Sequence, residues 1–166
     1  MNNAQIETSQ TEYAHLVCGG GPVVAAKNVR IELKRAFPGV KFSVTTSKFS
    51  MGNSINIDWT DGPTSNQVTA ITDKYTSGDF DGMNDLYTYK HSEFTSTYGS
   101  AKYISFSRHY SPAFIDACVS QVVSMFGGQA ITAADYLNGG ARFWNNGRGI
   151  DLCRELNIVF ADTAAK

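Results

Sequence analysis

Residues 37–62 read FPGVKFSVTTSKFSMGNSINIDWTDG, and this stretch decides the fold. Val40, Phe42 and Val44 alternate with Lys41, Ser43 and Thr45, and Ile55, Ile57 and Trp59 alternate with Asn56 and Asp58. A period of two puts each apolar set on one face of a pleated strand. The joining segment, Ser50 to Ser54, has Gly52 and Asn53, which tolerate the positive φ of a tight connection. Asp61-Gly62-Pro63 stops the second run. The stretch predicts a β-hairpin whose apolar face must be covered. The opposite face, with Lys41, Ser43, Thr45, Asn56 and Asp58, is expected to meet water or a partner.

The flanks supply the cover. Val23–Ala36 predicts a helix, with Ala26, Val29, Leu33 and Ala36 at helical spacing and Lys27, Arg30 and Lys34 as a basic stripe on another face. Phe37-Pro38-Gly39 ends it. After the hairpin, Thr64-Ser65-Asn66-Gln67 is a capping box ahead of the stripe Val68, Ile71 and Tyr75. Leu86–Lys90 and Lys102–Arg108, rich in aromatic and β-branched residues, predict a second hairpin. Its connection, His91–Ala101, is polar and is expected to be a mobile surface loop.

Ser111 and Pro112 then open the clearest helix, as cap and first residue, and Gly127-Gly128 closes it. Beyond it, Thr132 is expected to cap a short helix through Leu137. Asp151–Leu156 is expected to form a helical turn or two, and Ile158–Phe160 an edge strand. Tyr13–Cys18 is expected as an extra strand, and residues 1–12 as a loose polar stretch.

The predicted class is α+β. About four strands from two hairpins form one antiparallel sheet in the order α-β-β-α-β-β-α, with the helices on one face. The expected division is a flexible segment over 1–22, a core domain over 23–128 and a C-terminal extension over 129–166 packed on the core.

A length of 166 residues fits one domain with a sizeable core. The net charge of −1 predicts neither an indiscriminate nucleic-acid binder nor an acidic tail. No apolar run reaches the roughly 18 residues of a membrane span, and the N-terminus lacks the pattern of a secretory signal. Cys18, Cys118 and Cys153 match no zinc spacing and are expected as reduced thiols. The charge is unevenly laid out. Residues 27–50 hold six basic residues and one acid, and residues 51–101 hold seven acids and two basic residues.

Motif tests exclude more than they support. Setting Gly82 at position 6 of a calcium loop puts Asp79 and Asp81 at ligand positions, but Thr88 stands where the closing glutamate is required. An acidic turn is the expectation there. The run Gly19-Gly20-Gly21 lacks the Gly-Lys-Ser/Thr ending of a phosphate loop, so a flexible connector stands beside phosphate binding as its reading. His15, His91 and His109 are scattered. No pairing of nucleophile with base emerges, and no enzyme activity, cofactor or metal is expected.

The strings AFPGVKFSV, SINIDWTDGPT, FDGMND and KYISFSRHYSPA together resemble the large polyvalent protein-associated domain of type twenty-nine, over about Ala25–Gly128. The resemblance implies a phage or plasmid context and no established catalytic set. The chain departs from that pattern in its small size, Gly-rich N-terminal segment and C-terminal extension.

Two binding functions follow. The favoured one is a small accessory protein of a mobile element that occupies and inhibits a host defence complex, of the anti-CRISPR or anti-restriction type, in the host bacterial cytoplasm. Its candidate contacts are the acidic residues Asp79, Asp81 and Asp85, and Phe143, Trp144 and Arg148 as an interface anchor. Core packing under a loop is the other reading of Phe143 and Trp144. The alternative function is a nucleic-acid-binding module using Lys27, Arg30, Lys34, Lys41 and Lys48.

Overall fold

The computed structural model describes residues 13–81, 83 and 86–164, with the backbone alone at 79–81 and 143. The loose stretch expected over 1–12 lies outside the described residues. The chain divides into two compact units, Met1–Asp58 with Thr69–Ser107, and Trp59–Val68 with Arg108–Lys166.

In the first unit, helix α1 (Pro22–Ala36) starts with proline, whose missing N–H costs nothing at that position. It ends with Lys34 and Arg35 beside its negative pole. Ala25, Ala26, Val29 and Leu33 are buried, and the helix packs on strand β1 (Ser43–Phe49). Strand β1 pairs antiparallel with β2 (Gly52–Thr60), from Ser43 opposite Asp58 to Phe49 opposite Gly52. Ile55 and Ile57 are fully buried, as the alternation predicts.

The hairpin turn is Ser50-Met51, with Gly52 and Asn53 already inside β2. Both residues serve a neighbour. The Asn53 side-chain oxygen accepts from the Lys102 amide at 2.9 Å, and a Cβ on Gly52 would stand 2.8 Å from the Lys102 side chain.

The expected four-stranded sheet is corrected. Strand β3 (Gly78–Asp81) pairs antiparallel with β4 (Leu86–Tyr89) as a separate two-stranded sheet, and β5 (Tyr103–His109) joins β2 in a three-stranded sheet ordered β1-β2-β5. Pairing β4 backward across a short turn closes a smaller loop than pairing it forward across residues 90–102. The acidic turn expected at 79–85 is therefore in part strand. The segment His91–Ala101, expected as a mobile loop, contains helix α3 (Glu93–Tyr98), capped reciprocally by Ser92 and Thr95.

Tyr13–Cys18 forms no strand. Its backbone turns, and the fully buried Asn28 fastens it to α1. The Asn28 side chain accepts from the Val17 amide at 2.7 Å and donates to the Val17 and Tyr98 carbonyls at 2.9 Å each. Helix α2 (Ser65–Thr72) follows the Thr64–Gln67 capping box and runs into a 3-10 turn over Asp73–Tyr75.

The second unit is built on α4 (Pro112–Phe126), capped by the Ser111 hydroxyl, which accepts from the Phe114 amide. Ile115, Cys118, Val119 and Val122 pack with Trp144, Leu152, Leu156 and Phe160. Short helix α5 (Ala133–Leu137) has the expected Thr132 cap. Helix α6 (Leu152–Asp162) absorbs Ile158–Phe160, so the edge strand expected there is corrected. Leu152, Leu156, Val159 and Phe160 are buried at helical spacing, and the Asp151 carboxylate caps the helix.

Arg108 ties this unit together. Its guanidinium donates to the carbonyls of Asp61, Gly62, Phe160 and Thr163, at 3.1, 3.1, 2.6 and 2.8 Å. No helix among the described residues is long and apolar enough to cross a membrane.

Candidate functional site

One surface of the first unit is a row of aromatic rings carried by its strands. Phe49 ends β1, Tyr103 starts β5, and Tyr87 and Tyr89 lie two residues apart on β4, hence on one face. Phe49 stacks on Tyr103 at 6.2 Å, and Tyr103 meets Tyr87 edge-on at 5.8 Å. Tyr87 meets Tyr89 at 4.7 Å, and Tyr89 stacks on His91 at 6.4 Å. Phe49 and Tyr89 remain 48% and 58% exposed.

Lys102 lies over this row, its Nζ 4.7 Å from the Tyr87 ring centre and 5.5 Å from that of Tyr103. One of its three protons goes to the Met51 carbonyl. The Tyr87 hydroxyl donates to the Lys102 carbonyl at 2.9 Å and fixes its ring. A groove of about 580 Å³ runs beside Tyr87, Lys102, Tyr103, Ile104 and Ser105, and among the described residues Lys102 is the one charged residue lining it. Flat rings, hydroxyls and a cation provide stacking, hydrogen bonding and attraction for an anion.

The other face of β4 differs. Leu86 is 58% exposed, and Met83 in the preceding turn is 96% exposed. The strand register sets Asp79 opposite Thr88 and Asp81 opposite Leu86. Asp85 lies outside the described residues.

The basic residues Lys27, Arg30, Lys34, Lys41 and Lys48 are all exposed. Arg30 is also anchored, donating to the Val44 carbonyl. In the second unit Trp144 is buried in the core and donates to the Gln129 carbonyl at 2.7 Å. Arg148 is exposed on the loop that follows, and Phe143 is described by backbone alone.

Titratable groups converge at Glu32. Its carboxylate accepts from Lys74 and from the Tyr75 hydroxyl, each at 2.7 Å, with His15 Nε2 at 3.9 Å. Burial first, then the Glu32 carboxylate, pushes the Tyr75 phenol far above the usual tyrosine range. Lys74 also lies over the rings of Tyr13, Tyr75 and Phe94. These partners occupy both oxygens of Glu32, so the cluster is built as an anchor for its segment.

Burial likewise raises the Cys118 and Cys153 thiols, while Cys18 is exposed. No group of three metal-ligating side chains is found among the described residues.

The aromatic row was partly legible. Tyr87 and Tyr89 stand at i and i+2 in LYTYK. Phe49 and Lys102 were not, because they meet the row only through turns and strand order.

The family model of large polyvalent protein associated domain 29 matches residues 22–111. No curated protein and no solved structure matches the chain.

Proposed function

This chain belongs to the large polyvalent protein associated domain 29 family, and on that premise we propose that it is a non-catalytic accessory protein that binds and inhibits a host defence complex. The domain occurs in polyvalent proteins of phages and plasmids, which suggests a mobile-element origin. Defence systems are the host machinery such elements meet, and the host bacterial cytoplasm is where the meeting takes place.

The observation that carries the reading is the β3–β4 hairpin. It exposes Met83 and Leu86, and in the sequence alone these two fall among the acidic residues Asp79, Asp81 and Asp85. Exposed apolar side chains grouped with charge of one sign mark binding surfaces. The acidic charge suits a basic partner, and the nucleic-acid channel of a nuclease complex is such a partner. Arg148, exposed in the second unit, is a separate candidate contact.

Expression of the chain in a host with an active restriction or CRISPR system tests this. The expected result is a rise in phage plating, lost in the Met83→Asp/Leu86→Asp double variant, with the wild-type chain recovered in a stoichiometric complex. Unchanged plating across several defence systems, or equal activity of the double variant, would reject the reading.

A further inference from the structure

The aromatic row lies on the face of β4 opposite Leu86 and has no part in the protein contact just described. We propose that it is a binding platform for single-stranded nucleic acid, with bases stacked on the outer rings Phe49 and Tyr89, which Tyr103 and Tyr87 support, and a backbone phosphate held by Lys102.

Three observations converge on it. The rings follow one another at 6.2, 5.8 and 4.7 Å, so they form one continuous surface. The two outer rings, Phe49 and Tyr89, are about half exposed and offer faces to an incoming base. Among the described residues, the one charge lining the groove is the cation Lys102, which lies over two of the rings and complements a phosphate. Aromatic faces combined with a cationic groove are what unpaired nucleic acid binds without sequence preference.

A double helix hides its base faces within the stack and offers these rings little. A proline-rich peptide would use the rings but leave Lys102 without a counter-charge. The lining of Thr76, Tyr87, Ser105 and Ile104 suits a strand of either sugar.

The test is fluorescence anisotropy of the full chain with a labelled oligothymidylate of about 12 nucleotides, a length matched to sites of this kind. Phe49→Ala and Tyr89→Ala each remove one exposed ring and are expected to weaken binding roughly 10-fold. Tyr89→Trp keeps a stacking face and is expected to retain binding, which separates stacking from damage to the strand.

Lys102→Met is expected to reduce the slope of log affinity against log salt by about 0.7, the loss of one phosphate contact on a single strand. No binding, an unchanged salt slope in Lys102→Met, or equal affinity of the alanine variants would overturn the proposal. So would tighter binding of a proline-rich peptide.

Discussion

Replacing Arg108 by lysine is predicted to destabilise the protein by about 3 kcal/mol while leaving the charge unchanged. The wild-type guanidinium reaches four backbone carbonyls, of Asp61, Gly62, Phe160 and Thr163. These lie in the turn after β2 and at the end of α6. An ammonium is a point donor and retains one such bond in that geometry. Three bonds are then lost. The side chain is partly buried, so water re-solvates some of the carbonyls, and about 1 kcal/mol per lost bond is the appropriate scale. The cation–π contacts with Tyr110 and Phe114, both at 5.2 Å, are available to either cation and do not change the sum. For a chain of this size the loss corresponds to a fall in Tm of roughly 6–12 °C. Thermal unfolding followed by circular dichroism measures it, with Arg108→Met as the reference that loses all four bonds and the charge. A lysine variant within about 2 °C of wild type would refute the claim that fork geometry, and not charge, holds this unit.

Three further predictions concern the first unit. Asn28→Ala removes three hydrogen bonds from a fully buried side chain and is expected to cost about 3 kcal/mol in urea unfolding, with faster amide exchange at Val17. Gly78→Ala sets a Cβ 2.1 Å from the Thr88 carbonyl oxygen, so the β3–β4 pairing must open. Loss of protection at the β4 amides, together with loss of defence inhibition, is the expected readout. Tyr75 is an acid whose pKa rises on folding, so its contribution is complete below the ordinary tyrosine value near 10 and declines as pH rises beyond it. Urea midpoints between about pH 8 and 11 should fall in wild type and fall less in Tyr75→Phe.

The first hairpin was legible because Ile55, Ile57 and Trp59 alternate without interruption and because the burial of one face fixes the register. Helix α4 was legible from Ser111, Pro112 and Gly127, whose roles are set within a few residues of sequence. The partner of β4 was not. Gly78–Asp81 carries two aspartates and a glycine, residues that composition assigns to turns, and strand pairing overrode that preference. Helix α3 was missed because its cap pairs Ser92 with Thr95 in place of a glutamate, and Thr is a weak helix former that hides the start signal. Ile158–Phe160 looked like a strand because three apolar residues in a row carry no period. Only the longer spacing from Leu152 shows the helix. Of the candidate contacts, exposure of the basic side chains on α1 followed from helical spacing. The burial of Trp144 depends on how α4 and α6 pack, which local pattern does not encode.

The proposed inhibitor acts by occupancy and not by turnover, and titration of a captured host nuclease complex tests that proposal most directly. The prediction is that cleavage activity falls linearly with added protein, reaches its floor at one equivalent per binding site, and returns when the protein is stripped away. Complete, time-dependent inactivation by a small fraction of an equivalent, persisting after removal, would contradict it.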